Sequence, residues 1–131
     1  MSQADIDRLR ARYAAVNTGD WGAAFRDVHP GFTLKTVDRV PNAGTYLGAD
    51  EALRFVEDLW EPFEEVTMEP EEFRESGDRV VALLRVRARH KESNAVIENH
   101  IAAVWTMRDG KPLGVEMFPN REQALAAVGL A

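Results

Sequence analysis

The sequence predicts an α+β fold, and three observations carry the prediction. Apolar residues recur at helical spacing through the first half of the chain, as in Ile6, Leu9, Tyr13 and Val16. From Val80 the pattern switches to a period of two: Val80, Ala82, Leu84, Val86 and Ala88 share one face, while Arg85, Arg87 and Arg89 stand on the other. Two turn signals, Lys91-Glu92-Ser93-Asn94 and Arg108-Asp109-Gly110-Lys111, divide Asp78 to Pro119 into a three-stranded meander. Helices segregated from a run of antiparallel strands define the class.

Taken in order, Ser2 caps a first helix, with Asp5 three residues on, and Asn17-Thr18-Gly19 ends it. Asp20 opens a shorter helix with Trp21, Ala24, Phe25 and Val28 on its apolar side, and His29-Pro30-Gly31 breaks it. Phe32 to Val37 reads as a strand. Asp38 to Gly48 reads mostly as loop, since it holds Pro41, Asn42, Gly44 and Gly48. Asp50 caps a third helix whose buried stripe is Leu53, Val56, Leu59, Trp60 and Phe63. Val66 to Arg74 is a strand, and Pro70 assigns it to a sheet edge. Its carboxylates, with Glu64 and Glu65, read as a solvated acidic edge. After the meander, Asn120 caps a short C-terminal helix with Ala124, Leu125 and Val128, and Gly129 stands at its C-cap.

A first hairpin centred between Asn94 and Ala95 pairs His90 with Asn99, Ala88 with Ile101, Val86 with Ala103 and Leu84 with Trp105. A three-residue second loop with a glycine bulge pairs Trp105 with Leu113, Ala103 with Val115 and Ile101 with Met117. One face is then apolar in the middle, with His90 and Asn99 at one end. A one-residue slip would exchange the faces.

The 131 residues suit a single domain spanning the whole chain, and a 45% hydrophobic composition supplies a core. A net charge of −6 without a basic patch argues against nucleic acid as a partner. No cysteine is present, which excludes disulfides, thiolate metal sites and cysteine nucleophiles. No apolar run approaches the roughly 20 residues of a membrane helix. The N-terminus lacks the basic start and apolar core of a signal peptide, so a cytoplasmic location is expected. The three histidines are scattered, so no metal site is expected, and glycine-rich phosphate loops and a nucleophile elbow are missing.

Several local phrases extend the reading. They are Asn17-Thr18-Gly19-Asp20-Trp21, Gly44-Thr45-Tyr46-Leu47-Gly48, Val104 to Lys111, and Arg121 to Leu130. With the element order, they resemble the SnoaL-like branch of the nuclear transport factor 2-like superfamily, which includes ketosteroid isomerase. The resemblance implies a cone in which a curved, mostly antiparallel sheet wraps three helices around an apolar pocket, followed by a short C-terminal helix. It implies no cofactor and a homodimer formed through the outer sheet face. Here that face includes Val81, Leu83, Ala102, Val104 and Phe118, which are too apolar to leave comfortably in water. Ketosteroid isomerase uses a helix-one tyrosine and a buried aspartic acid as oxyanion donors, with an aspartate base. The tyrosine matches Tyr13, the buried acid falls on Ala103, and the base falls on Lys35 or Thr36. Two of three parts are missing, with Asp38 the nearest carboxylate that could replace the base.

The catalytic candidates are therefore Tyr13, Asp38, His90 and Asn99. Tyr13 is either a core tyrosine or a donor pointing into the pocket. His90 is an acid/base candidate or a strand-end histidine, and Asn99 its neighbour would orient substrate or water. Asp38 is a base candidate or a turn aspartate. Phe25, Tyr46, Phe55 or Val56, Leu59, Val86, Ile101, Ala103, Val115 and Met117 are expected to wall the pocket. The expected activity is acid/base chemistry on an apolar cyclic or polyketide-like small molecule, by cyclisation, isomerisation or dehydration. The alternative is a non-catalytic dimeric module that binds an apolar ligand or a protein.

Overall fold

A computed structural model of the chain describes residues 3–36 and 44–130. The helices are α1 (Gln3–Val16), a 3-10 turn (Trp21–Phe25), α2 (Gly48–Trp60) and α3 (Arg121–Ala127). The strands are β1 (Thr33–Thr36), β2 (Thr45–Leu47), β3 (Phe63–Ser76), β4 (Arg79–His90), β5 (Val96–Arg108) and β6 (Lys111–Phe118). The strands form one sheet in the order β2-β1-β6-β5-β4-β3. Every pairing is antiparallel except β1 with β6. At that junction Gly114 lies opposite Thr33, where a Cβ would sit 3.2 Å from the Thr33 carbonyl oxygen. The close approach leaves little room for a side chain.

The expected elements are present, with five local differences. Phe63, expected on the stripe of the third helix, opens β3, because α2 ends at Trp60. A strand, β2, lies inside the stretch expected to be loop; three residues are too few to display a period. The second helix is a 3-10 turn that stops at Phe25, because Asp27 adopts φ 53° and leaves Val28 outside it. α2 starts at Gly48, so Asp50 lies in its first turn rather than at the cap, where a carboxylate still suits the helix dipole. The Leu47 N–H at the cap donates to Glu51 Oε1 (3.2 Å). β3 is longer than expected, and it is an edge strand, with register shifts between Glu64 and Thr67 and between Pro70 and Glu72. The expected cap at Ser2 and the candidates Val37, Asp38, Pro41 and Asn42 lie outside the described residues.

The meander keeps its two faces but changes its pairing. Val86 pairs with Asn99, Leu84 with Ile101 and Ala82 with Ala103. The first turn closes over Lys91–Asn94, earlier than expected, because His90 Nδ1 accepts the Glu92 N–H (3.2 Å) and the Ser93 N–H (3.5 Å). The His90–Asn99 pair is thereby lost; His90 pairs with Phe63 of β3. The second loop holds two residues, not three. Asp109 (φ 53°) and Gly110 (φ 77°) both take positive φ, the signature of a type I′ hairpin. The bulge falls instead between Thr106 and Met107, and Trp105 pairs with Val115. Both displacements move partners by an even number of residues, so every side chain stays on its expected face.

Those faces build two cores. The inner one gathers Leu9, Tyr13, Phe25, Leu34, Phe55, Val86, Trp105 and Val115, drawn from α1, the 3-10 turn, α2 and the sheet. The outer apolar strip expected at a dimer surface is not open to solvent. Val81, Leu83, Ala102, Val104 and Phe118 pack against Ala124 and Val128 at the α3 end of the chain. Asn120 caps α3 by accepting the Gln123 N–H (2.9 Å). Elsewhere the same face is ion-paired rather than merely acidic: Arg85 with Glu69 (2.7 Å), Arg87 with Glu98 (3.5 Å) and Arg89 with Glu65 (2.8 Å). Hydrogen bonds that Arg85 donates to Glu69, and Arg89 to Glu65, come first among the influences that hold the Arg85 and Arg89 pKa values above their ordinary range.

α1 is tied to the edge strand by one side chain. Asn17 Nδ2 donates to the Met68 carbonyl (2.9 Å), and the Met68 N–H donates to Asn17 Oδ1 (2.7 Å). An edge strand presents unpaired backbone groups on its open side, and an amide side chain can satisfy one donor and one acceptor together.

Candidate functional site

The sheet and the helices enclose an apolar cavity of about 290 Å³. Helical spacing aims Tyr13 and Val16 of α1 at it, while Phe55, Val56 and Leu59 face it from α2. The strands add Leu34 and Thr36 (β1), Val86 (β4), Asn99, Ile101 and Trp105 (β5), and Val115 and Met117 (β6). Phe25, Trp21 and Trp60 complete a wall in which Trp21 and Trp60 stack at 6.5 Å with planes 6° apart. Asn99 is solvent-exposed while lining the cavity, so the cavity reaches the surface beside it.

Two buried polar groups of the lining meet, the Tyr13 hydroxyl and the Trp105 indole N–H. Tyr13 is 6% exposed, and its Oη accepts a hydrogen bond from Trp105 Nε1 (2.9 Å). The rings meet edge to face, with centroids 6.2 Å apart. Burial raises the Tyr13 pKa well above a free phenol, and the Trp105 hydrogen bond offsets part of that rise. The phenol is therefore neutral and keeps its hydrogen. No described residue accepts it. Thr36, the other buried polar residue of the lining, has its hydroxyl engaged: the Gly44 N–H donates to it (2.9 Å).

The sequence candidates separate accordingly. Tyr13, Asn99, Phe25, Phe55, Val56, Leu59, Val86, Ile101, Val115 and Met117 line the cavity. Ala103 is fully buried between Ala82 and Met117 and does not reach the cavity. Tyr46 packs on Phe55, centroids 4.6 Å apart, and stays outside the lining. His90 is also outside it: Nδ1 is held by the turn, and the ring stands edge-on to Phe63 at 5.3 Å. The structure thus does not bring Tyr13 and His90 together. Asp38 lies outside the described residues. Trp105 lines the cavity and was not among the sequence candidates. Its signal was present, because a buried indole carries a donor that needs a partner. Among the described residues no group of three or more His, Asp or Glu side chains could hold a metal ion, and no helix is long and apolar enough to cross a membrane.

A mostly antiparallel sheet laid over helices, enclosing an apolar cavity, defines a small α+β domain of the nuclear transport factor 2-like type. The profile of the SnoaL-like domain matches residues 9–112, and the chain belongs to that family. No curated protein sequence matches it significantly. Among solved structures, TerC co-crystallised with polyporic acid is similar, with a TM-score of 0.77 at 23% identity, covering 95% of this chain and 97% of that one. An NTF2-like protein from Burkholderia thailandensis gives 0.77 at 26% identity over 97% of both chains. A candidate SnoaL-like polyketide cyclase from Jannaschia gives 0.71 at 19% identity, covering 97% of this chain and 90% of that one.

Proposed function

We propose that this chain is a cofactor-independent enzyme of the SnoaL-like type. It takes a neutral, largely apolar cyclic or polyketide-like molecule into the cavity and rearranges it by proton transfer, as in cyclisation, isomerisation or dehydration. The observation that carries this reading is the Tyr13 hydroxyl: buried, neutral, and with its hydrogen unclaimed by any described residue. Such a donor, held in an apolar cavity, stabilises negative charge that develops on a substrate carbonyl oxygen. The apolar walls supply affinity by removing ligand surface from water. Neutrality of the ligand follows from the lining, whose described residues include no carboxylate, amine, guanidinium or imidazole to pair with a charge.

Asp38 is the base of this proposal, two residues along the chain from Thr36, which lines the cavity. Asn99 at the opening positions the ligand or a water. The binding of polyporic acid by TerC is consistent with small-molecule binding in this fold. The expected homodimer has lost its apolar argument to α3. It would form through the ion-paired part of the outer face and weaken as salt rises. Sedimentation at low and high ionic strength reads this directly.

One observation favours a second reading, a binding module without catalysis: no general base is found among the described lining residues. Solvent deuterium exchange separates the two. Cyclic ketones that stabilise the protein against heat are incubated with it in D2O and followed by NMR. Catalysis shows as deuterium entering the carbon beside the carbonyl, and the rate should fall at least a hundredfold in Asp38→Asn and Tyr13→Phe. Heat stabilisation with no exchange above the buffer rate would leave only the binding module.

A further inference from the structure

We propose that Trp105 is a positioning residue that makes the cavity select ligands by hydrogen-bond polarity: it turns Tyr13 into a donor toward the ligand, so that an oxygen that only accepts, as in a ketone or enolate, is preferred over the matching alcohol. The inference rests on the cavity being the ligand site, as proposed above.

The argument begins with what an indole can do. Its N–H is a donor and never an acceptor, whereas a phenol oxygen can do either. The 2.9 Å contact between Trp105 Nε1 and Tyr13 Oη therefore has one possible polarity, with Tyr13 accepting. That occupies a lone pair of Oη and leaves the Tyr13 hydrogen without a described acceptor. An unmade hydrogen bond in so apolar a site is costly, so a cavity occupant that accepts relieves it. An alcohol can accept too, but it brings a hydrogen of its own into an apolar site. The other buried hydroxyl there, on Thr36, is already engaged with Gly44.

Trp105 is also placed to hold this arrangement. It is 3% exposed and sits between Val80 of β4 and Val115 of β6. Its ring meets Tyr13 at 87°, so the indole edge rather than its face addresses the phenol. Hydrogen bonds in a chain polarise one another, so accepting from Trp105 makes Tyr13 a stronger donor than an isolated phenol.

The probes are α-tetralone and α-tetralol, a ketone and an alcohol on one carbon skeleton. In the native protein the ketone should bind about five- to tenfold more tightly, the worth of one well-made neutral hydrogen bond. Trp105→Phe keeps an aromatic ring but removes the N–H along with part of the indole; both probes feel the lost volume alike, so their ratio reads the N–H, and the preference should shrink several-fold while the alcohol still binds. A second measurement needs no variant. In ¹⁵N-labelled native protein, the ketone should move the Trp105 indole N–H downfield, because Tyr13 accepts more strongly while donating, and the alcohol should move it less. Equal affinities for ketone and alcohol, an unchanged ratio in a folded Trp105→Phe, or an indole resonance that responds alike to both probes would each overturn the role of Trp105 while leaving the cavity a binding site. Failure of both probes to bind would overturn the reading of the cavity for this ligand class, and the polarity filter with it.

Discussion

Tyr13 joins two effects that pull against each other. Burial opposes ionisation of its phenol, and the Trp105 N–H favours it, with burial the larger. The sign for stability follows. A phenol whose folded pKa lies above its unfolded one contributes fully below about pH 10, the ordinary tyrosine value. Above that pH the unfolded chain releases a proton that the native chain keeps, and stability falls by about 1.4 kcal/mol per pH unit. Urea unfolding at pH 8 and pH 11 should show this loss, and Tyr13→Phe should show less of it. At pH 8 the same variant should be less stable by about 1–2 kcal/mol, because the Trp105 N–H is left buried without an acceptor. His90 makes the opposite case. The histidine that looked chemically poised closes a turn and packs against Phe63. His90→Ala is expected to cost about 1 kcal/mol in stability and to leave tetralone affinity unchanged, as measured by tryptophan fluorescence titration.

At the scale of elements, the edges of the sheet are where single residues matter most. Among the described residues β3 has no partner strand on its outer side, and Asn17 supplies one donor and one acceptor there through Met68. Asn17→Ala removes both and should destabilise the chain by about 2 kcal/mol. Hydrogen exchange should show lost protection at the Met68 amide before other β3 amides. The helices of the inner layer were legible because their stripes are long and repeat every three or four residues. β2 was not legible: three residues running straight into a helix make no pattern. The hairpins were legible in position but not in type. Asn94 and Asp109 both take positive φ, and a side chain, His90, decides where the first turn closes. Such a contact has no periodic signature.

For the molecule as a whole, the division of labour between sheet faces is the governing feature. One face closes a cavity over the helices, and the other is split between a strip under α3 and an ion-paired field. Surface pairs of this kind contribute little each, so α3 carries most of the protection of the outer strip. Val128 is 6% exposed within that strip. Val128→Asp places a carboxylate where it cannot be hydrated and should cost about 3 kcal/mol or more. If α3 lifts, Val81, Leu83 and Val104 become open to solvent, and the variant should bind a hydrophobic dye and run at higher apparent mass on gel filtration.

The sequence by itself determined the class, the element order and the inward face of the meander strands. These depend on periodicity, and periodicity survives a register error as long as the shift is even, as both hairpin shifts were. Only the tertiary structure decided which polar groups meet. It separated His90 from Asn99, buried the outer apolar strip under α3, and joined Tyr13 to Trp105 across 92 residues of chain. A hydrogen bond needs its atoms placed to within a few tenths of an ångström, and no local pattern specifies that. It is set by the packing of α1 against the sheet.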